Sequence, residues 1–373
     1  MDDSSSRIYG NNRFFFGGRL ISGPDVHYGI LSMMMILVPS ILWHVQVGSF
    51  LSARYTAVLV LFAVALQTGS ITFLLATAFS DPGIIPRQKS YLTQYDPLSK
   101  QFRQRQPPRY FDVLVRGHPF KLKYCVTCNI YRPPRCTHCS VCENCIERFD
   151  HHCPWIGNCV GKRNYWLFYT FVTTTGMLNT YTLGTAVAQI AIHSTEHTAG
   201  GMDGGPALLA ACGQAPIAAA LVVYATGIVW FTVGLVLYHN YLICTNQTTY
   251  EQIKGTYSTY GYASNPFHRG ILGNYRDVLF NGVRRRYFNP ATSHTNWPGP
   301  AVSLQAREAR EVPLSALSDS GDGGADEAKL PKVLVSPPLA PAPPPPPPAV
   351  AAEPSEEGAR NVDEVVLGAD QEN

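Results

Sequence analysis

The chain has 373 residues, a formal net charge of +3 and a mean hydropathy of −0.03. This near balance of charge excludes the strongly basic surface that nucleic-acid binding needs, so we expect no nucleic acid as a partner. The mean hydropathy conceals an uneven distribution, because long apolar stretches alternate with polar segments along the chain.

Four stretches without Asp, Glu, Lys or Arg are each long enough to cross a bilayer, which needs about 20 apolar residues. They cover residues 28–47, 56–79, 166–192 and 216–244. Buried helices of soluble proteins seldom run this long without charge. The pattern therefore predicts an α-helical integral membrane protein with four transmembrane helices. The acidic first residues lack the apolar run of a signal peptide, so we expect no cleaved one.

The distribution of Lys and Arg predicts the orientation, because basic segments stay in the cytosol. About half of these residues lie in 80–165, whereas 193–215 contains none. With an even number of spans, both termini then share the cytosolic side with the basic segment. Golgi, other endomembranes and the plasma membrane are all compatible with span lengths near the average.

The polar segments divide the chain into further parts. The predicted organisation is a cytosolic N-terminal segment (1–27), helices one and two (28–79), a linker (80–123), a cysteine-rich zinc domain (124–165), helices three and four (166–244), a cytosolic C-terminal motif region (245–290) and a disordered tail (291–373). The tail carries an unbroken proline run at 343–348, which favours polyproline II structure. An arginine run at 284–286 fits anionic lipid headgroups.

The chemistry concentrates in residues 125–159, which hold eight of the ten cysteines and three histidines. Disulfides need an oxidising compartment, and the predicted cytosolic side is reducing. Zinc needs tetrahedral sets of thiolate and imidazole, often built on Cys-x-x-Cys pairs. Cys125/Cys128, Cys139/Cys142 and Cys142/Cys145 all have that spacing. The block therefore predicts two structural zinc ions, each contributing about 10–16 kcal/mol in model peptides.

The number of candidate ligands indicates a second chemistry. The block offers eleven Cys and His side chains and two closed sites use eight, so at least one cysteine is surplus as soon as one histidine serves as a ligand. A spare thiol beside a histidine and a carboxylate is a candidate nucleophile, and the run Asp150-His151-His152-Cys153 has that composition. Spacing alone leaves Cys136, Cys153 and other cysteines open as the spare one.

At this point the block resembles the cysteine-rich domain of the Asp-His-His-Cys (DHHC) protein S-acyltransferases, and plant members in particular. Two further motifs of that family are present: Asp81-Pro82-Gly83 after the second span and Thr248-Thr249-Tyr250-Glu251 after the fourth. A third, from Asn265 to Asn274, departs from the family where Phe267 replaces the more usual Tyr. The resemblance covers about residues 25–290.

The resemblance implies a role for each residue of the block. One zinc is held by Cys125, Cys128, His138 and Cys145, and the other by Cys139, Cys142, His152 and Cys159. Cys153 is then the nucleophile, His151 its general base and Asp150 the partner that orients His151. Cys136 is left unassigned.

The implied reaction transfers palmitoyl, or a similar fatty acyl group, from acyl-CoA to cysteines of membrane-associated proteins through a thioester on Cys153. Trp155 is a candidate acyl-chain contact or an ordinary interfacial aromatic residue. Lys162 and Arg163 are candidate partners of the CoA phosphates or of lipid headgroups. His44 and His239, within or near the spans, are predicted to be satisfied structural histidines.

Two other classes of protein compete with this interpretation. A membrane-anchored zinc module, such as a ubiquitin ligase, needs a different order of Cys and His with longer gaps between its pairs. A channel or transporter usually carries ionisable residues inside its spans, and here the spans hold only the two peripheral histidines. Both classes therefore fit less well than the enzyme.

Overall fold

The computed structural model describes residues 10–88, 93–96, 101–104, 107–115, 118–259, 265–280, 288–289 and 294–295. All of them lie within the first 313 residues of the chain. The predicted proline-rich tail and the arginine run at 284–286 lie outside the described residues. The helices are α1 (Val26–Arg54), α2 (Val58–Ala78), α3 (Tyr165–Ala199), α4 (Gly204–Gln214), α5 (Pro216–Thr245), α6 (Thr249–Ile253), α7 (Thr256–Thr259) and α8 (Ile271–Tyr275).

Among the described residues, three helices are long and apolar enough to cross a membrane: α1, α2 and α5. The fourth predicted span corresponds to α3, which has 35 residues but is less apolar because it is rich in threonine. Several of its hydroxyl groups are bonded within the helix, since Thr170, Thr174 and Thr180 each donate to the carbonyl four residues earlier, at 2.8–2.9 Å. The helix packs against both α2 and α5. The fourth span remains a prediction.

Helix α1 contains a π-helical turn at His44–Gly48, where polar side chains reach the neighbouring helices. His44 Nε2 lies 2.8 Å from Gln67 Oε1 of α2, and Gln46 Oε1 accepts from the Ala218 N–H of α5 at 2.8 Å. A bilayer offers no water to such groups, so each needs a protein partner. His44 is thus a satisfied structural histidine, as the sequence predicts.

The extended segments form small antiparallel sheets. The strands are β1 (Arg13–Phe15), β2 (Leu20–Ser22), β3 (Ile84–Ile85), β4 (Thr93–Asp96), β5 (Gln101–Gln104), β6 (Tyr110–Val115), β7 (His118–Cys125), β8 (Ile130–Tyr131), β9 (Thr137–Cys139), β10 (Asn144–Ile146), β11 (His151–Cys153), β12 (Asn158–Val160), β13 (Phe288–Asn289) and β14 (His294–Thr295). The described sheets that surround the cysteines have the orders β3-β10-β9, β6-β7-β8 and β11-β12.

The cysteine-rich part has two apolar clusters in which cysteines are at least as numerous as aliphatic residues. So small a core stabilises a domain poorly without a metal or another cross-link. A third, larger cluster joins Cys153 and Val160 to the membrane helices through Ile36 of α1, Leu74 of α2 and Phe168 of α3. Cys153 therefore lies where the cysteine-rich part meets the helices.

Candidate active site and metal centres

Two groups of four side chains have the composition of structural zinc sites. The first cluster comprises Cys125, Cys128, His138 and Cys145, and the second comprises Cys139, Cys142, His152 and Cys159. Within each cluster the ligand atoms lie within 4.8 Å of one another. The eight side chains are those that the family resemblance implies.

The spacing of the ligand atoms fits tetrahedral zinc. Sulfur and imidazole ligands at about 2.3 and 2.0–2.1 Å from zinc lie about 3.5 Å apart in a tetrahedron. The sulfur atoms lie 3.5–3.8 Å from His138 Nδ1 in the first cluster and 3.5–3.8 Å from His152 Nδ1 in the second. The three-thiolate, one-imidazole set is also one that structural zinc uses. Both clusters therefore fit zinc.

The β-hairpins explain how the ligands come together. Cross-strand pairing sets His138 opposite Cys145 between β9 and β10, and His152 opposite Cys159 between β11 and β12. Each pair supplies half of one cluster, and a Cys-x-x-Cys segment supplies the other half. The β9–β10 hairpin carries a cross-strand pair for the first cluster and, near its turn, Cys139 and Cys142 for the second. The two clusters are thus interleaved through one hairpin.

Strand β11 separates the metal ligand from the reactive residues. Successive side chains of a strand point to opposite faces. His152 can therefore face the second cluster while His151 and Cys153, two residues apart, share the other face. Cys153 is a free thiol outside both clusters and lies on the same strand as His151. Its position is fixed because ligands of the second cluster lie on both sides of it in the chain.

A buried carboxylate holds His151 from the other side. His151 Nδ1 lies 2.6 Å from Asp150 Oδ2, and Asp150 is 1% exposed. Thr249, at the start of α6, donates to both Asp150 oxygens, from its backbone N–H at 2.9 Å and from its hydroxyl at 2.8 Å. His151, Asp150 and Thr249 thus form one chain of hydrogen bonds, which begins two residues from Cys153 on β11.

The pKa values of Asp150 and His151 favour an ion pair between these two side chains. Burial raises the pKa of the Asp150 carboxyl, but the hydrogen bond to His151 and the backbone N–H of Thr249 outweigh it, so this pKa lies below its ordinary value. Burial lowers the pKa of the His151 imidazole, but its hydrogen bonds to Asp150 and Cys153 outweigh burial and raise this pKa to about 10. At neutral pH the imidazole therefore carries a proton beside an ionised carboxylate, an arrangement that favours a thiolate nearby.

Comparisons with known proteins agree with this geometry. The family model for the DHHC palmitoyltransferases matches residues 118–256. Probable protein S-acyltransferase 2 of Arabidopsis thaliana is 37% identical over 296 residues, which cover 75% of this chain and 69% of the relative. Probable protein S-acyltransferase 7 of the same plant is 38% identical over 330 residues, with 84% and 69% covered. Mouse palmitoyltransferase ZDHHC18 is 38% identical over 280 residues, with 72% and 71% covered.

The chain belongs to the DHHC palmitoyltransferase family. Its activity is accordingly that of a protein S-acyltransferase, and its two Cys/His clusters fit zinc binding in the DHHC domain by composition and spacing. The competing assignments to a zinc interaction module and to a channel are therefore wrong. The individual catalytic residues are taken up below as a proposal.

The Thr-Thr-x-Glu motif of this DHHC enzyme forms the start of α6. Thr248 and Glu251 make a reciprocal capping box, and Glu251 also forms a two-armed ion pair with Arg135, both arms at 2.7 Å. Burial raises the pKa of the Glu251 carboxyl, but Arg135 outweighs it and lowers this pKa below the ordinary value. The motif thus braces the end of α5 against the cysteine-rich domain, as the sequence predicts.

The C-terminal motif completes this brace. Asn274 is fully buried and donates to the Cys244 carbonyl at 2.8 Å, while its side-chain oxygen lies 3.3 Å from Asn246 Nδ2. The Arg135 guanidinium lies 4.7 Å from the centre of the Phe267 ring. The departure from Tyr therefore leaves Phe267 with a cation–π contact.

Three residues were predicted to contact the acyl-CoA donor, and the structure shows other surroundings for them. Lys162 pairs with Glu147 at 2.5 Å, and Arg163 pairs with Asp81 at 3.2 Å. The Trp155 side chain is about half exposed, at 49%. Contact of these three residues with acyl-CoA remains a prediction.

The sequence alone did not place His239 and Tyr165 beside the site. His239 of α5 was predicted to be a satisfied structural histidine, and in the structure its ring centre also lies 6.3 Å from that of His151 and 4.9 Å from that of Phe168. Tyr165 of α3 holds it through a 2.9 Å hydrogen bond to Nδ1. The sequence does carry one signal for His239: it is a histidine within an apolar helix, and ionisable residues at membrane depth are usually functional.

Proposed function

We propose that this S-acyltransferase transfers a fatty acyl group, palmitoyl or one of similar length, from acyl-CoA to cysteines of membrane-associated proteins through a thioester on Cys153. The observation that carries the proposal is the free thiol of Cys153 on the same strand as His151, which Asp150 and Thr249 hold through hydrogen bonds. It gives a free thiol, a base and an orienting carboxylate, which is the arrangement of an activated nucleophile.

The first half-reaction forms the acyl-enzyme. The Cys153 thiolate attacks the thioester carbonyl carbon of acyl-CoA, and the bond from that carbon to the CoA sulfur breaks. The CoA thiolate leaves and takes the proton held by His151, so that free CoA and a neutral imidazole remain. One thioester replaces another, so this step requires positioning and proton transfer but no other energy source.

The second half-reaction regenerates the enzyme. The substrate cysteine gives its proton to His151, and its thiolate attacks the acyl carbon on Cys153. The acyl group passes to the substrate, and the thiolate–imidazolium pair returns. Asp150 stabilises the protonated His151 at this stage, and Thr249 fixes Asp150. Bound zinc would supply only the fixed framework around β11 and β12, with no part in either step.

The apolar surroundings of Cys153 support a path for the acyl chain. Cys153 shares an apolar cluster with Leu66 of α2. Leu66 also lines a groove of about 560 Å³ between α2, α3 and α5. We propose that the chain passes from Cys153 along this cluster towards the groove. Each methylene buried there contributes about 0.8 kcal/mol, which favours long chains.

A glycine in the groove allows a test of chain length. Gly184 lines the groove, and a side chain added there meets no other atom within 4 Å. Gly184→Leu is expected to shift the preferred donor to shorter acyl chains, by about fourfold in relative rate per methylene displaced. Gly227→Leu, an equally open position on α5 outside the groove, is the control. An unchanged chain-length profile in Gly184→Leu would exclude this path.

A basic cleft supports binding of the CoA phosphates. It has a volume of about 290 Å³ and is lined by Lys121, Lys123, Arg132 and Lys254 among others. Lys162 and Arg163 already have carboxylate partners, so we propose that the cleft takes the phosphates in their place. Lys123→Ala is expected to raise KM for acyl-CoA by more than fivefold, whereas Lys162→Ala is expected to leave KM within about twofold.

The orientation is also part of the proposal. The excess of Lys and Arg in residues 80–165 supports a cytosolic cysteine-rich domain with both termini on the same side. Asn246-Gln247-Thr248 is a glycosylation sequon that faces the cytosol in this topology. The Asn246 side chain should therefore carry no glycan in cells, and a glycan there would overturn the orientation.

Self-acylation tests the nucleophile. The purified protein is supplied with alkyne-labelled palmitoyl-CoA and then treated with neutral hydroxylamine, which cleaves thioesters. We expect hydroxylamine-labile label on wild type and none on Cys153→Ser. Cys244→Ser, at the membrane edge, is the matched cysteine control and should label normally. Equal label on wild type and Cys153→Ser would place the thioester on another cysteine, and no label on zinc-loaded wild type would contradict the acyl-enzyme itself.

A further inference from the structure

The N-terminal segment 10–25 folds onto the second zinc cluster. It was predicted as a cytosolic lead, yet it forms the β1–β2 hairpin and reaches the turn that carries two ligands. The Asn11 backbone N–H donates to the Cys142 carbonyl at 2.9 Å, and its side-chain amide donates to the Val141 carbonyl at 2.9 Å. The segment therefore belongs to the metal-binding architecture.

The packing of the segment leaves it little freedom. Ile21 is fully buried in the same apolar cluster as the cysteines of the second site. A Cβ at Gly10 would lie 2.5 Å from the Cys142 carbonyl oxygen, and one at Gly23 would lie 2.4 Å from the Gly157 carbonyl oxygen. Such close backbone approach requires glycine at both positions. The segment is thus fixed against both halves of the second site.

Asp25 lies at the end of this segment, directly before α1. Its Oδ2 is 3.0 Å from His152 Nε2. The other ring nitrogen, Nδ1, faces the three cysteine sulfurs at 3.5–3.8 Å. A neutral imidazole that binds metal through Nδ1 carries its proton on Nε2, and this N–H can donate to the carboxylate.

We propose that Asp25 is the positioning residue of the second zinc site. Its carboxylate accepts a hydrogen bond from His152 and fixes the ring, and with it the strand that carries Cys153. The inference rests on the assignment of zinc to the second cluster and extends that assignment to the N-terminal segment. Carboxylates in this position typically change metal affinity by about 10- to 100-fold.

The segment also contacts β12, the strand that follows Cys153 in the chain. Asn158, the first residue of β12, donates to the Ile21 carbonyl at 3.3 Å. Gly157 has a positive φ of 73°, and a Cβ there would lie 2.7 Å from the Asp25 carbonyl oxygen. The same few residues therefore hold the loop between Cys153 and Cys159. Displacement of Asp25 should loosen both flanks of the nucleophile.

The first cluster supplies a matched control within the same chain. There, His138 Nε2 faces Glu143 Oε2 at 3.5 Å, and the Glu143 side chain is 38% exposed. The contact is longer than the 3.0 Å contact of Asp25 and lies closer to solvent. An exposed and distant carboxylate orients a ligand weakly. Glu143→Gln should therefore change zinc binding much less than the corresponding change at Asp25.

Zinc release from the full-length protein in nanodiscs tests the inference. Wild type, Asp25→Ala, Asp25→Asn and Glu143→Gln are mixed with a chromogenic chelator, and the rate and the number of zinc ions released are recorded. We expect one of two zinc ions to leave Asp25→Ala about 10- to 100-fold faster than it leaves wild type. Asp25→Asn keeps an acceptor oxygen and should restore most of the difference, and Glu143→Gln should stay within about twofold of wild type.

The outcomes separate this inference from the proposed function. Release from Asp25→Ala at the wild-type rate would overturn the role of Asp25. Fewer than two zinc ions on wild type would instead contradict the zinc assignment itself. Should Asp25→Ala fail to fold, Asp25→Asn decides the question, because loss of the charge alone should still speed release by roughly threefold. Cobalt substitution gives a second measure, since the visible spectrum of the second site should broaden in Asp25→Ala and not in Glu143→Gln.

Discussion

Each of the two metal clusters has three cysteines and one histidine, but the two clusters lie in different surroundings. The first lies among the β7–β8 and β9–β10 hairpins, and its histidine faces a partly exposed Glu143. The second cluster contacts the N-terminal segment, and Cys153 lies between two of its ligands in the chain. Equal ligand sets therefore do not imply equal roles. On our proposal, the first cluster stabilises the domain, and the second also positions the nucleophile Cys153.

Removal of one ligand should separate these roles most clearly. Cys142 and Cys128 are both fully buried and occupy equivalent places in the second and first clusters. Cys142→Ser is expected to lower acyl-enzyme formation by more than about 100-fold, and Cys128→Ser by about tenfold, because only the second cluster flanks Cys153. Hydroxylamine-labile label per folded protein measures both. Equal losses would mean that the two clusters act as one unit.

Breaking the ion pair of Arg135 tests how the first cluster is linked to the active site. Arg135 precedes β9 and pairs with Glu251, both side chains being less than a tenth exposed. Arg135→Met leaves a buried carboxylate alone and is expected to cost about 3–5 kcal/mol of stability. Thermal unfolding of the zinc-loaded protein measures this. Its control is the double variant Arg135→Met/Glu251→Leu, which should lose much less, and equal losses would exclude an unpaired charge as the cause.

Thr249→Val tests the far end of the hydrogen-bonded chain. The substitution removes the hydroxyl bond to Asp150 and keeps the backbone one. A hydrogen bond to a charged group contributes about 1.5–3 kcal/mol, so self-acylation should fall by about 10- to 150-fold. Thr249→Ser keeps the hydroxyl and should restore the rate. Zinc content should not change in either variant, and a loss of zinc in Thr249→Val would show a structural effect instead.

Cys136→Ala should have the smallest effect. Cys136 lies in the apolar cluster beside the first site but in neither group of ligands. Self-acylation and zinc content are expected to stay within about twofold of wild type, since neither the metal nor the thioester uses this sulfur. Loss of a zinc ion from Cys136→Ala would instead make Cys136 an alternative ligand.

The sequence predicts what depends on local pattern. The apolar stretches at α1, α2 and α5 follow from composition, whereas the choice of the eight clustered ligands follows from the family resemblance, because spacing alone leaves several cysteines open. The family motifs add a role for Thr248 and Glu251 at the start of α6, and the capping box has the form that their spacing suggests.

The contacts that organise the site could not be predicted in this way. Asp25 and His152 are 127 residues apart, and Tyr165 and His239 are 74 apart. Such pairs meet only because the hairpins and helices pack in one arrangement, and a pattern within a segment carries no information about a partner so distant. The Thr content of α3 lowers its hydropathy, although the hydroxyls of Thr170 and Thr174 donate to carbonyls within the helix.

The most direct measurement of the central claim is a native mass spectrum of the enzyme after brief reaction with palmitoyl-CoA. The claim is that Cys153 carries the acyl group while both zinc ions stay bound as framework. The predicted spectrum shows one added acyl group on a protein that retains two zinc ions, and no such species for Cys153→Ser. An acylated species that has lost a zinc ion, or an acyl group retained by Cys153→Ser, would contradict the account.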